Sequence, residues 1–387
     1  MLRAFERWVA QAVRLFGASG RLLMGDHQSA LEMIAPAIRP PRDENDVFEW
    51  HGLYSAGLKA LTLASSGSIR EAERELRWIR SFRLPEGWEE SHYGLPTLLA
   101  EIYAAFAQQR RETAKALIAG LGRFEMTLDL WPFVYELRAR SGYYYGEAGA
   151  WQAFAAALAA RPDQPVASRY WHQNLWGRVA SLAAAAGDRE AAELYMARMR
   201  EMDYPSRRGA VLERAQLSLH LQWREYAAVR ELAEELLSRK DLNLREETQA
   251  RVSMAAALHA LGDAPGARDH LRLALDLADD SGLLFEALHV ARRSIREMTE
   301  LYAPERTPML RLLAPMESPE RVPQMTESEL RVLQELAHTE SRSVIAHRLH
   351  LSVNTVKTHL RKIYRKLGVG SRLDAVERAY ALGLIQT

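Results

Sequence analysis

Apolar residues recur every three or four positions along residues 1–301, and they seldom alternate one-for-one with polar residues. This spacing places the apolar side chains on one face of an α-helix. Ala, Leu, Glu and Arg dominate the segment and mostly favour helix, whereas runs of Val, Ile and Thr are few. The pattern therefore predicts one helix after another and an all-α fold.

A short turn followed by a helix that begins with small residues recurs along this segment. The glycine of the turn would end the first helix in a left-handed conformation, and the polar residue after it would cap the next helix. The clearest copies begin at Gly25, Gly187 and Gly262, and looser copies begin at Gly67, Gln109, Gly146 and Gln222, at intervals of 35 to 42 residues.

A helical hairpin of this kind cannot bury its apolar face alone, so the copies are predicted to stack into a superhelix. The spacing resembles that of tetratricopeptide repeats, although most intervals exceed the usual length of about 34 residues and the full repeat motif is missing. We expect a tetratricopeptide-like helical-repeat solenoid over residues 1–301, with a non-repetitive helical bundle as the alternative.

The composition changes after residue 301. Five of the 15 prolines fall between Tyr302 and Met325, and proline disfavours helix. Residues 302–324 are therefore expected to form an extended linker, with room for a short helical turn at Met309–Leu313. Residues 325–387 are expected to form a separate domain.

The composition excludes several classes of protein. Cysteine is absent, which excludes disulfides, thiolate zinc sites and cysteine nucleophiles and fits a reducing compartment. The longest uncharged stretch of the Ala-rich middle, Ala148 to Ala160, has 13 residues, whereas a membrane span needs about 20. The amphipathic N-terminus carries Glu6 and lacks the features of a signal peptide. We expect a soluble cytoplasmic protein that does not contact a membrane.

Basic charge is concentrated near the C-terminus. Residues 325–387 contain 10 Lys+Arg and 6 Asp+Glu, a net charge of +4, against −3 for residues 1–324. Between Leu351 and Arg372 there are six basic residues and no acidic one. Such a stripe is typical of a phosphate-binding surface. Taken alone, it is equally consistent with a solvated helix face.

Capping residues divide this C-terminal part into four helices. Thr326 and Glu329 form a capping box before a helix that runs to about His338, and Ser341 can cap a second helix. The tight turn at His350–Ser352 precedes a third helix, which carries the basic stripe, and Ser371 opens a fourth. Two short helices joined by such a turn indicate a helix-turn-helix.

The segment from Met325 to Val376 resembles the LuxR-type DNA-binding domain without a gap. Three departures are modest: Met325 replaces the usual Leu, Thr339 stands where Gly is frequent, and Val344 removes an acidic residue near the start of the second helix. The shared positions are Thr326, Glu329, Val332, Leu333, Ile345, Ala346, Leu349, Ser352, Thr355, Val356, Lys357, His359, Leu360, Ile363, Lys366, Leu367, Arg372 and Ala375. The resemblance implies a four-helix LuxR-type helix-turn-helix domain.

Within the third helix, Val356, Leu360, Ile363 and Leu367 fall at helical spacing and predict one buried stripe. The resemblance implies that Lys357, Thr358 and Arg361, on another face, contact DNA bases in the major groove. Contacts with DNA phosphates are predicted for Ser352, Thr355, Lys362, Arg365, Lys366 and Arg372. The alternative is that some of these side chains only aid solubility.

No cofactor, metal or catalytic chemistry is expected. His338, His347, His350 and His359 are spread over the C-terminal helices, with no Cys or acidic set to complete a metal site. The chain contains no phosphate-binding loop and no serine-hydrolase or zinc-protease motif. The sequence therefore gives no support for an enzyme.

Helical repeats followed by this domain are similar to the C-terminal half of MalT-like regulators, without their nucleotide-binding module. The chain is expected to be either a naturally short relative or a fragment of a longer protein. The resemblance implies that the superhelix receives an inducer. Eleven of the 32 aromatic residues lie between Trp131 and Trp176, where filling of the core is the alternative to ligand binding. The candidate effector residues are Trp131, Tyr135, Tyr144, Trp151, Trp171 and Trp176.

Two functions are consistent with these features. The first is a sequence-specific transcriptional regulator that binds double-stranded operator DNA as a homodimer and senses a small-molecule or protein effector through its repeats. The fourth helix, with Leu373, Val376, Tyr380 and Leu384 at near-helical spacing, is the predicted dimer surface. The alternative is a helical-repeat scaffold whose basic C-terminal domain docks on protein or RNA.

Overall fold

The computed structural model describes residues 2–38, 40–41, 47–124, 130–145, 150–160, 169–202, 210–292, 294–313, 325–339, 341–367, 369, 371–381 and 384–385. These residues are almost wholly helical and contain no strand, apart from one isolated bridge between Val47 and Arg83. The all-α fold class is thereby confirmed. None of the described helices is both long enough and apolar enough to cross a membrane.

Sixteen α-helices precede residue 303 in the described part of the chain. They are α1 (Leu2–Leu23), α2 (His27–Ile34), α3 (Trp50–Ser66), α4 (Ile69–Arg80), α5 (Leu95–Ala107), α6 (Arg111–Gly120), α7 (Trp131–Tyr145), α8 (Ala150–Ala159), α9 (Arg169–Ala185), α10 (Arg189–Glu201), α11 (Val211–Trp223), α12 (Tyr226–Leu237), α13 (Leu244–Ala260), α14 (Ala264–Ser281), α15 (Leu284–Val290) and α16 (Ile295–Tyr302). Four more follow: α17 (Glu327–His338), α18 (Arg342–Arg348), α19 (Val353–Leu367) and α20 (Arg372–Ala381).

The predicted hairpin turns occur with one shared geometry. A residue of positive φ ends the first helix of each hairpin, and the N–H of the next residue donates to the carbonyl oxygen five residues earlier at 2.9–3.0 Å. Asp26, Asp188 and Asp263 then cap the second helix through their side chains, as predicted. The residues of positive φ are Gly25, Gly67, Gln109, Gly187, Arg224 and Gly262.

One turn departs from the sequence pattern. Near Gln222 the left-handed residue is Arg224, two positions later than expected, so a hairpin forms there without a glycine. The predicted turn at Gly146 lies outside the described residues. The assignment of the repeats to the tetratricopeptide class stays a prediction.

Each hairpin packs as a pair of helices, and neighbouring pairs pack on one another. The pairs are α1–α2, α3–α4, α5–α6, α9–α10, α11–α12 and α13–α14. The first helices of consecutive pairs also touch, as in α3 with α5 and α9 with α11. This arrangement buries the apolar stripe of each helix between neighbours, as the periodicity requires.

The chain divides into two compact units. The first contains residues 1–141 and 162–315, and the second contains residues 142–161 and 316–387. Within the first unit, residues Pro304–Leu313 of the predicted linker form a 3₁₀ helix. Leu310 is buried there, and Arg306 pairs with Asp276 and Asp279 of α14 at 2.5 and 3.0 Å. The remainder of the predicted linker, residues 314–324, lies outside the described residues.

Candidate nucleic-acid interface

The turn between α18 and α19 is fixed by its backbone. His350 has a positive φ of 54°, and the N–H of Leu351 donates to the carbonyl oxygen of Ala346 at 2.9 Å. The Ser352 hydroxyl then accepts from the N–H of Thr355 at 3.0 Å and lies 2.8 Å from the Thr355 hydroxyl. Ser352 is thus the N-cap of α19, and its hydroxyl satisfies a backbone donor that the helix itself leaves free.

One face of α19 anchors the helix in the core of its domain. Val356, Leu360, Ile363 and Leu367 are all buried, which confirms the predicted stripe. Residues of α17, α18 and α20 complete this core, including Val332, Leu333, Ile345 and Ala375. Because about three turns of the helix are held along one side, the face that α19 presents to solvent is fixed.

The opposite face of α19 is exposed and basic. Lys357, Arg361, Lys362 and Arg365 are exposed, and none of them forms an ion pair with any carboxylate that the structure describes. Thr358 lies between them, with its hydroxyl donating to the carbonyl oxygen of Asn354 at 3.0 Å. That hydrogen bond occupies the hydroxyl and leaves the methyl group exposed. The five side chains form what we call the basic face: Lys357, Thr358, Arg361, Lys362 and Arg365.

Two of the predicted phosphate contacts have partners inside the domain. The Lys366 ammonium lies 2.5 Å from the carboxylate of Glu329, which is only 4% exposed. Arg372 donates from Nε to the carbonyl oxygen of Leu336 at 3.1 Å. Both side chains are half-buried. Sequence reasoning missed these pairings, because a basic residue on an amphipathic helix has the same sequence signature whether it faces solvent or a buried carboxylate.

Glu329 connects the start of α17 to the end of α19. It completes the predicted capping box with Thr326, whose N–H donates to the Glu329 carboxylate at 2.8 Å. Burial alone would raise the pKa of Glu329, but the hydrogen bonds from Lys366 and Thr326 outweigh burial and lower it. The carboxylate is therefore held in its charged form, and the pair with Lys366 fixes the C-terminal turn of α19 against α17.

Residues 323–379 match a family model described as bacterial regulatory proteins, luxR family. The C-terminal domain is a LuxR-family helix-turn-helix domain. An HTH-type transcriptional regulator MalT from Cronobacter sakazakii is 28% identical over 247 residues, 62% of this chain and 26% of the relative. MalT proteins of Klebsiella pneumoniae and Yersinia enterocolitica are 42% and 40% identical over 74 and 62 residues, which are 19% and 16% of this chain and 8% and 7% of theirs. The chain thus spans about a quarter of the length of the Cronobacter relative.

The histidines of the LuxR-family domain do not converge. His338 ends α17, His347 lies in α18, His350 lies in the turn and His359 lies in α19. In the part of the chain that the structure describes, no three His, Asp or Glu side chains come close enough to hold a metal ion.

The structure describes the side chains of only two of the four residues of the predicted dimer surface of the LuxR-family domain. Val376 and Leu384 are half-buried and pack against the domain's own core. The side chains of Leu373 and Tyr380 lie outside what the structure describes. The two visible members therefore have a packing role within one copy.

The candidate effector residues are mostly core residues. Trp131, Tyr135, Trp171 and Trp176 of the first unit are each at least 92% buried, and in the second unit Tyr144 is buried and Trp151 is half-buried. Trp131 packs edge-on against Tyr135, and Trp176 is stacked on Tyr195 with 5.3 Å between the ring centroids. These rings fill helix interfaces, which is the structural role that the sequence left open as the alternative.

Proposed function

We propose that this protein is a sequence-specific DNA-binding transcriptional regulator. The observation that carries the proposal is the basic face of α19, exposed on a helix that the core holds in a LuxR-family domain. The chain spans only a quarter of the Cronobacter regulator, so the likeness supports the proposal without supplying the function of the whole relative.

The base contacts are proposed from the spacing of the exposed side chains. Lys357 and Arg361 are four residues apart, one turn of α19, so they can reach neighbouring base pairs. Both can donate to guanine O6 and N7, and the free methyl group of Thr358 can contact a thymine methyl. The hydroxyl of Thr358 is already bound to the Asn354 carbonyl, which favours the apolar contact.

The phosphate contacts are proposed for the side chains at the edges of the basic face. Lys362 and Arg365 are exposed and carry the charge that phosphates attract. Ser352 and Thr355 lie at the N-terminus of α19, where backbone N–H groups also favour an anion. Lys366 is assigned to positioning of α19 and Arg372 to holding α20 against α17, since each has an internal partner.

The first unit is proposed to sense an effector or a protein partner. The match to the Cronobacter MalT covers 247 residues, far more than the 63 residues of 325–387, so it includes part of the helical hairpins. Pairing of two LuxR-family domains on a two-fold operator is proposed as well, because one such domain supplies a single recognition helix.

Selection of binding sites from random DNA, followed by fluorescence anisotropy on the selected site, tests the proposal. Wild-type protein should prefer the selected site over scrambled DNA by at least about 10³-fold. Arg361→Ala should lose part of that preference, whereas Arg268→Ala, at an exposed position of α14, should retain it. Equal affinity for all sequences, or binding to RNA alone, would instead support the scaffold alternative.

A further inference from the structure

The first unit contains a contact between segments that are far apart in sequence. Helices α4 and α5 pack against α14 and α15, about 180 to 210 residues later, whereas the other hairpins pack on their neighbours. In a simple solenoid each repeat touches only the adjacent repeats. We call the contact of α3–α5 with α13–α15 the seam.

Two glycine turns meet at the seam. Gly67, between α3 and α4, has a φ of 106°, and a Cβ there would lie 2.8 Å from both the backbone nitrogen of Arg245 and the side chain of Leu283. Gly282, between α14 and α15, has a φ of 87°, and a Cβ there would lie 3.1 Å from Cβ of Ile69. The two turns therefore approach more closely than side chains would allow.

Four buried charges on α7, α13 and α15 lie at the seam, and we call them the charged cluster: Glu136, Arg140, Arg245 and Glu286. Arg140 of α7 pairs with Glu136 at 2.5 Å and with Glu286 of α15 at 2.8 Å. Arg245 pairs with the same Glu286 carboxylate. All four side chains are at least 90% buried.

The charged cluster reaches the first hairpins through Arg245 and Tyr103. Arg245 donates from Nη2 to the carbonyl oxygen of Ala64 at 2.9 Å and from Nε to that of Ser65 at 3.2 Å, at the C-terminal end of α3. Tyr103 of α5 donates to Glu136 at 2.8 Å. On the outer side of the seam, Arg70 pairs with Asp279 at 3.2 Å.

A seam with buried charges restricts the register of its helices more strictly than an apolar interface does. Buried ion pairs contribute little net stability, but breaking one partner is costly, because it leaves an uncompensated buried charge. Hydrogen bonds to the last carbonyl groups of α3 can be made in only one register. A charged seam is consequently either closed in one position or open, whereas an apolar seam would tolerate sliding.

We propose that the charged cluster is a closure device that holds the seam in a single register, and that the first unit opens at the seam while its helical hairpins stay intact. An effector that binds one side of the seam with different affinities in the closed and open states could then shift the equilibrium between those states.

Distance measurement between spin labels on the full-length chain tests this proposal. The chain has no cysteine, so labels at Glu71→Cys and Asp280→Cys, both exposed positions beside the seam, are the only ones present. The otherwise wild-type protein should give one narrow distance distribution. Glu286→Gln, which removes the shared carboxylate charge, should add a longer distance.

A matched glycine pair separates opening of the seam from general backbone strain. Gly282 and Gly262 have the same φ of 87°, but a Cβ at Gly262 would meet nothing within 4 Å. Gly282→Ala should therefore add the longer distance, and Gly262→Ala should not. If Glu286→Gln fails to fold, this pair still decides the question.

Hydrogen exchange measures where the variants open. Glu286→Gln should raise exchange at residues 64–69 and 281–284 by on the order of 100-fold, with α11 and α12 unchanged. One narrow distance in both Glu286→Gln and Gly282→Ala, equal broadening in Gly262→Ala, or exchange raised uniformly along the first unit would each overturn the proposal. None of these outcomes depends on DNA binding, so the proposed function is tested separately.

Discussion

Lys366 and Lys362 lie one turn apart on α19, and the structure predicts opposite consequences for removing them. Methionine keeps the aliphatic stem of either lysine and removes only its charge. Lys366→Met would remove the ion pair of the buried Glu329 carboxylate and leave it the hydrogen bond from the Thr326 N–H. A hydrogen bond between charged groups contributes about 1.5–3 kcal/mol, so the LuxR-family domain should lose about that much free energy of unfolding. For a domain of this size the melting temperature should fall by about 10 °C.

The salt dependence of DNA binding is also predicted to differ between the two lysine variants. Each phosphate that a lysine neutralises adds about 0.9 to the slope of log affinity against log salt concentration. Lys362→Met should therefore reduce this slope by nearly one and leave the melting temperature unchanged, because Lys362 is exposed and forms no described ion pair. Lys366→Met should leave the slope unchanged at temperatures where the domain is folded.

Fluorescence anisotropy between about 50 and 200 mM salt measures the salt slope of DNA binding. Thermal unfolding, together with hydrogen exchange in α17 and α19, measures the stability of the domain. The reasoning is refuted if Lys366→Met lowers the salt slope while the stability of α17 and α19 is unchanged. That result would mean that Lys366 contacts a DNA phosphate, as the sequence predicted.

Three further predictions follow from other parts of the chain. Burial alone would raise the pKa of Glu136, but Arg140 and Arg178 lower it to about 2 from its ordinary 4.5. The charged carboxylate therefore stabilises the fold above pH 4.5, and this stabilisation is lost as the pH falls towards 2, so Glu136→Gln should flatten that part of the stability–pH curve. Limited proteolysis should cut first within residues 314–324 and release two folded fragments, and early cuts within the helical hairpins would contradict this separability. Trp131→Ala should cost about 3–5 kcal/mol in the unfolding of the first unit, measured by denaturant titration, because its ring is 1% exposed; a loss below 1 kcal/mol would contradict its assignment to the core.

Local features of the fold could be predicted because they depend on nearby residues. Glycine followed by aspartate specifies a left-handed turn and a helix cap, and the structure has both at Gly25, Gly187 and Gly262. The buried stripe of α19 likewise follows from residues three and four apart. The left-handed residue Arg224 lies two positions after the predicted start at Gln222, because a turn without a glycine marks its left-handed residue only weakly.

Features that depend on distant residues could not be predicted from the sequence. Glu136 and Arg140 are one helical turn apart on α7, but Glu286 lies 150 residues from Glu136, and no periodicity relates it to Arg140 or Arg245. The pairing of Lys366 with Glu329 depends on how α17 crosses α19, which the helix pattern of either segment does not contain. The aromatic residues gave an ambiguous signal, since large rings are used both in cores and in ligand sites.

The central claim is that the basic face of α19 reads DNA sequence, and one comparison tests it most directly. Arg361→Ala and Arg365→Ala are measured on the selected site and on random DNA across a salt series. If Arg361 contacts a base, its loss should cost about 1–3 kcal/mol on the selected site and relax the preference at one position, with little effect on random DNA. If Arg365 contacts a phosphate, its loss should weaken binding to both DNAs equally and reduce the salt slope by about one. Equal weakening of both DNAs by Arg361→Ala, or a change in base preference caused by Arg365→Ala, would contradict the account.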